Sequence, residues 1–237
     1  DGDARYLRPE VVGEQAVVRE NVIENNTTGG ISIIYGSNHL VSGNELGGNT
    51  SDGLYTLQVA RAPYTRIVNN SLLNNEGIGI LYSRGENSFL QYNTVRGSGG
   101  TSLYSTRSTG VQISHNLLME PDGYNITVSR NSDLLVFNNL LYGDGLYIGS
   151  RERDIGIFNN IFWPFQADTY CIRTSGTEPE EQGIVSDFNL LFPTGGAWAG
   201  YWKEDLQDLR NWILASGQDG HSQIGRASCR ERVCVGV

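Results

Sequence analysis

Six arginines recur through the middle of the chain at nearly constant spacing. Arg61, Arg84, Arg107, Arg130, Arg151 and Arg173 stand 23, 23, 23, 21 and 22 residues apart. A guanidinium is always charged and presents a planar fork of N–H donors that matches carboxylate or sulfate oxygens two at a time. If one turn of a repeating fold separates them, the six line one edge over roughly 24 Å, at ~4.8 Å per step. Neighbouring like charges at that distance repel by about 1 kcal/mol in water, so something should offset them. Within the chain, Asp52, Glu76, Asp122, Asp144 and Asp168 recur at the far end of the same segments, and Glu86, Glu152 and Asp154 lie nearer. Outside it, a polyanionic chain laid along the row would serve. The plainer alternative is that repeat duplication copied solvated arginines bonded to carbonyls of the adjacent turn.

Between the two charged edges, Thr56, Gln58, Gly79, Ser102, Tyr104, Asn125, Thr127 and Tyr147 are expected to face outward. Small polar residues and tyrosines on an open face suit sugar rings, which stack on aromatics and hydrogen-bond beside them. The expected binding residues are therefore Arg84, Arg107, Arg130, Arg151, Tyr104 and Tyr147. For catalysis, Asp122 and Asp144 stand one repeat apart, near the ~5 Å of a retaining glycosidase pair. Both also begin Asp-Gly steps, for which turn formation is a sufficient reason. A lyase instead needs a cation for a uronate carboxylate, a base, and an acid for the leaving oxygen. Arg107 and Arg130 could supply the cation and Tyr104 the acid. No lysine lies on the repeats, since Lys203, the sole lysine, falls in a terminal loop. The three histidines, His39, His115 and His221, are isolated in sequence, so no metal site is expected and no cofactor is evident.

These residues need a scaffold that repeats every two dozen residues. Asn21, Asn44, Asn70, Asn93, Asn116, Asn139, Asn160 and Asn189 mark it, with intervals of 23, 26, 23, 23, 23, 21 and 29. Three positions before each stands an apolar residue (Val18, Val41, Ile67, Leu90, Ile113, Val136, Ile157), except Ser186 in the last. Two positions after stand Ile23, Leu46, Leu72, Val95, Leu118, Leu141, Phe162 and Leu191. A third segment alternates apolar residues two apart: Ile31 and Ile33, Leu57 and Val59, Ile78 and Ile80, Ile126 and Val128, Leu146 and Ile148. Period two over so few residues means short strands. Three such strands per coil predict an all-β fold, a single right-handed parallel β-helix of about eight coils. Asparagines at its turns would tolerate left-handed backbone and hydrogen-bond from coil to coil, so they read as scaffold rather than chemistry. A short α-helix is expected where Leu206, Leu209, Trp212 and Ile213 recur, with Gly217 as its stop.

The chain has 237 residues and a net charge of −9, which argues against duplex nucleic acid as a partner. No apolar run reaches the ~20 residues of a membrane span. Residues 1–225 are expected to form one domain, with coils over about 16–192 and a closing loop and helix over 193–225. From Arg226 the composition turns basic and cysteine-rich, as in translated sequencing-adapter read-through, and 226–237 is expected to be a non-native tail. The start at Asp1, without methionine, suggests a fragment lacking earlier coils and any export signal.

The run Ser186-Asp187-Phe188-Asn189-Leu190, followed by Leu209-Arg210-Asn211-Trp212 and Gly217-Gln218-Asp219-Gly220-His221-Ser222, resembles the closing segment of bacterial right-handed parallel β-helix repeat proteins of the pectate-lyase-like superfamily. The resemblance is specific over 186–222. It implies export, to the extracellular space, cell surface or periplasm, and frequent work on polysaccharides; it carries no catalytic residue. The neighbouring aspartate cluster for calcium and the paired aspartates of pectate lyases or polygalacturonases are not evident. Taken together, the expectation is an exported β-helix protein that binds an acidic polysaccharide along one strand face, with cleavage of lyase or glycoside hydrolase type as its enzymatic form. The alternative is a non-catalytic surface or adhesin-like solenoid binding glycans or protein.

Overall fold

A computed structural model describes residues 15–50, 54–175 and 182–225. The expected tail at 226–237 and Asp52 lie outside the described residues. The chain winds as a parallel β-helix in which each coil carries up to three short strands. The first face is an eight-stranded sheet running from Val17–Arg19 through Leu40–Ser42, Arg66–Val68, Phe89–Gln91, Gln112–Ser114, Ser132–Phe137 and Arg153–Phe158 to Ile184–Asp187. The second and third faces join into a sixteen-stranded sheet, because Leu117–Ser129 and Leu140–Ile148 continue from one face to the next.

Register explains why the apolar rows were visible in the sequence. On the first face Val41 pairs with Ile67, Ile67 with Leu90, Leu90 with Ile113 and Ile113 with Val136. On the second, Leu46, Leu72, Val95, Leu118, Leu141, Phe162 and Leu191 stack in the same way. The third contributes Ile31, Leu57, Ile80, Leu103, Ile126, Leu146 and Ile172. Together these residues form a continuous buried core. In one coil the inward row runs on from Ile80 to Tyr82, while Ile78, at the start of the strand opposite Tyr55, is half-exposed.

The asparagine row is a buried ladder. Asn93 Nδ2 donates to Asn116 Oδ1 at 3.0 Å and Asn116 Nδ2 to Asn139 Oδ1 at 2.9 Å, and each backbone N–H joins the same acceptor. The left-handed residue, however, is the one before each asparagine: Glu20, Gly43, Asn69, Tyr92, His115, Asn138, Asn159 and Phe188 all have φ between 55° and 64°. The amide thus satisfies backbone groups that the corner strips of ladder partners. Two further corners carry shorter polar rows, Asn26–Asn49–Asn75 and Ser108–Asn131–Glu152.

The closing segment seals the core. Leu209–Ser216 is the α-helix, capped by the Asp208 side chain and by Gly217 at φ 69°. Leu206 is not part of it: Asp205–Leu206 turns back as an antiparallel strand on Trp198–Tyr201. Trp212 is fully buried, and its indole N–H donates to Asp219 Oδ2 at 2.8 Å. Asp219 Oδ1 in turn accepts from Asn189 Nδ2, the last rung of the ladder. A Cβ on Gly200 would fall 2.2 Å from the Trp212 ring, so only glycine lets the indole close that end. The Ser186–Leu190 and Gly217–Ser222 motifs are therefore two halves of one cap.

Candidate functional site

The column of arginines exists for five of its six members. Arg61, Arg84, Arg107, Arg130 and Arg151 occupy the corner that ends the third face, each with φ between 54° and 65°. Arg84 N donates to Thr106 O at 3.0 Å, Arg107 N to Ser129 O at 3.1 Å and Arg130 N to Ser150 O at 3.2 Å, so each lies one coil from the next. Left-handed backbone does not demand arginine; the asparagine corner accepts Glu, Gly, Asn, Tyr, His and Phe at the same angles. The five guanidinium-bearing residues are exposed. Arg61 lies over the Tyr35 ring at 4.8 Å and bonds its hydroxyl. None of Arg84, Arg107, Arg130 and Arg151 pairs with a carboxylate among the described residues. Glu152, expected near enough to offset them, is buried and accepts from Asn131 instead.

Arg173 does not extend that column. It pairs with Tyr147 and Tyr201, as the sixth of seven residues in the outward row Gln58, Leu81, Tyr104, Thr127, Tyr147, Arg173, Tyr201. Tyr104 and Tyr147 thus stand on the open face, as expected. Thr56, Ser102 and Asn125 do not: they are buried where the chain turns onto the face, and Asn125 Nδ2 donates to Asp144 O at 2.6 Å.

The two aspartates are not an acid pair in register. Asp144 pairs with Tyr124, while Asp122 falls in the register shift between Glu120 and Tyr124 and is exposed. Neither starts a free turn; both lie within extended segments, Leu117–Ser129 and Leu140–Ile148. Asp144 is 9% exposed, and its Oδ1 accepts from Tyr170 N at 2.8 Å and Gly145 N at 3.1 Å. Burial pushes its carboxyl up to about 6, against the pull of those N–H groups and of Arg173.

Around Asp144 the fold joins Arg173 and Tyr147 to three tyrosines not named among the expected binding residues, Tyr124, Tyr170 and Tyr201. Arg173 Nη1 donates to Tyr124 Oη at 2.9 Å, and the Tyr124 ring stacks on Tyr147 with centroids 4.9 Å apart. The Arg173 guanidinium carbon lies 4.9 Å from the Tyr170 ring centre and 5.6 Å from that of Tyr201. Tyr170 Oη donates to Asp205 Oδ1 at 2.8 Å. Burial, then the charge of Asp144, raises the Tyr124 phenol; burial and the bond to Asp205 push Tyr170 up to about 12. Both phenols therefore hold their protons at neutral pH. Desolvation works against the Arg173 charge, but Tyr124, Tyr170 and Asp144 hold its pKa above the ordinary value. Hydroxyl donors, a fixed cation and aromatic faces together can orient an anionic sugar ring. Tyr124, Tyr147 and Tyr170 do stand 23 residues apart, and Tyr201 31 further on, but register pairs Tyr124 with Asp144 and Tyr147 with Arg173, so the interval did not place them around one guanidinium.

The histidines take structural places. His115 stacks on Tyr92 at 4.8 Å and meets Asn138 at 3.2 Å. His221 Nδ1 meets Asp187 Oδ2 at 2.6 Å beside Phe188 in the cap. No group of three or more potential metal ligands occurs among the described residues. Nor, among them, is any helix long and apolar enough to cross a membrane.

A family model described as "Right handed beta helix region" matches residues 10–162. No curated protein matches the sequence. Among solved structures, the chain is similar to the periplasmic alginate epimerase AlgG, with 11% identity and a TM-score of 0.51 over 90% of this chain and 50% of that one. It is also similar to an alginate lyase from Paenibacillus sp. str. FPU-7, with 13% identity and a TM-score of 0.40 over 85% of this chain and 79% of that one. At 11% identity the likeness to the epimerase is one of fold. The chain spans half the length of the epimerase.

Proposed function

Since the chain belongs to the right-handed β-helix region family, we propose that it is an exported protein, extracellular, cell-surface or periplasmic, that binds an acidic polysaccharide along its third face. The observation that carries this reading is the exposed column of Arg84, Arg107, Arg130 and Arg151, without carboxylate partners among the described residues, beside Tyr104 and Tyr147. A chain of −9 net charge has every reason to surround such a column with acids if its task were only to fold. A polyanion running parallel to the solenoid axis would meet one guanidinium per coil, at ~4.8 Å steps. Replacing Arg107 and Arg130 together by glutamine should reduce retention on uronate or sulfated polymers by about tenfold or more, given two lost charge-assisted contacts. Unchanged retention would remove the column from consideration.

Cleavage is a second reading, favoured by one arrangement. Elimination from a uronate requires a cation at the carboxylate and groups that carry protons, and Arg173, Tyr124 and Asp144 lie together on the same face. Incubation with a panel of acidic polysaccharides should then release new unsaturated ends, whereas a hydrolase would release saturated reducing ends. Retention without either product would leave a binding module of the adhesin or surface type.

A further inference from the structure

Arg173 differs in kind from the corner arginines. They are exposed, whereas Arg173 is half-buried. Its guanidinium is held over the Tyr170 and Tyr201 rings and bonded to the Tyr124 hydroxyl, not by an acid. Of its five N–H donors that phenol takes one. A guanidinium fixed in this way has already lost its rotamer freedom, so an incoming anion gains more of its interaction energy as affinity. The planar fork suits a carboxylate. Tyr147 and Tyr201, its partners in register, present rings on either side along the helix axis.

Beneath this group lies Asp144. The ionisable groups facing it are Tyr124 from one neighbouring strand, Tyr170 and Arg173 from the other, and Tyr147 on its own strand; Cys171 is buried behind, and Asp205 sits beyond the Tyr170 hydroxyl. We propose that Arg173 is the subsite for the carboxylate of a single uronic acid unit, with Tyr147 and Tyr201 flanking the sugar, and that Asp144 weakens this binding when it is ionised. The proposal rests on the reading of the third face as a polysaccharide-binding surface and assigns that face one selective position.

The direction with pH follows from the charges. Burial raises the Asp144 carboxyl to about 6, so above that pH a negative charge lies under the guanidinium and opposes a second carboxylate. Below it the opposition is gone, while a sugar carboxylate stays ionised to about pH 4.

The test is calorimetric titration of the full chain with a short oligouronide, too short to span the arginine column. The wild-type protein should bind about threefold to tenfold tighter at about pH 5 than at about pH 7.5, as expected for removal of one nearby like charge. D144N keeps an acceptor for Tyr170 N and Gly145 N; it should bind at both pH values as the wild type does at the lower. R173Q should lose most of the affinity, and an oligosaccharide of the same length with neutral sugars should not bind the wild-type protein measurably. Should R173Q fail to fold, as judged by circular dichroism, D144N and the neutral sugar decide the matter. Unchanged oligouronide affinity in folded R173Q, or a wild-type pH dependence kept in D144N, overturns the proposal. Loss of polymer retention in the Arg107 and Arg130 double variant with no effect of R173Q would sink the subsite and leave the wider reading of the face standing. The reverse pattern would keep the subsite and discard the column.

Discussion

Among single residues, Glu152 shows how a polar row in a solenoid core can cost stability. It is 1% exposed, its Oε1 accepts from Asn131, and its Oε2 has no hydrogen-bond partner among the described residues. Burial pushes its pKa up to about 7 from 4.5, against the hydrogen bonds from Asn131. The folded state therefore holds this proton more tightly than the unfolded chain does. Its contribution is fully present below the unfolded value near 4.5 and is lost as pH rises towards 7, a change on the order of 3 kcal/mol. E152Q removes the charge and keeps an acceptor for Asn131. Thermal melts should show E152Q more stable than wild type by about 6–12 °C at about pH 8 and little changed at about pH 4.5; equal melting temperatures at the higher pH would mean that Glu152 is hydrated or paired. The sequence offered Glu152 as a surface counter-ion to arginines, because spacing along the chain does not say which side of a corner a side chain takes.

At the scale of the element, the asparagine ladder ties each coil to the next, and its rungs are unequal. Asn116 is buried; it donates to Asn139 and to Leu90 O and accepts from Asn93, whereas Asn21 at the first described rung is exposed. N116A leaves buried donors and a carbonyl unsatisfied on both sides, at a cost of about 3 kcal/mol, while N21A should cost less than about 1 kcal/mol. Urea midpoints of the two variants measure this difference, and equal shifts would show that the rungs do not depend on burial. The row itself was legible, since an asparagine every two dozen residues between two apolar positions has few other meanings. That the left-handed angle belongs to the preceding residue was not. Glu20, Tyr92 and Phe188 are not residues that favour such angles, and they accept them because the amide beside them satisfies the turn. The partial exposure of Ile78 was equally hidden, because alternation gives the face of a residue but not how far the neighbouring coil covers the end of its strand.

At the scale of the whole molecule, the charge distribution makes a prediction of its own. A protein of net charge −9 that binds a polyanion must do so through a local field. Exposed arginines are screened over ~8 Å at physiological salt. Polymer retention through the column should therefore fall at least several-fold between low and high salt, whereas oligouronide binding at half-buried Arg173 should fall less. Affinity chromatography and titration across a salt series read the two separately, and a polymer affinity indifferent to salt would contradict an electrostatic column. The sequence by itself determined the winding: repeated strands, their inward residues, the asparagine ladder, the cap motifs and five of six arginines in one column. Those features recur once per coil, and a periodic pattern survives projection onto a line. Tertiary structure alone decided what happens where the period breaks. The coils near residue 144 have unequal lengths, which moves Arg173 from the corner onto the open face, separates Asp122 from Asp144, and brings Tyr124, Tyr170 and Tyr201 around one guanidinium. The 23-residue interval between Tyr124, Tyr147 and Tyr170 does not announce the cluster, because the unequal coils set Tyr124 beside Asp144 and Tyr147 beside Arg173.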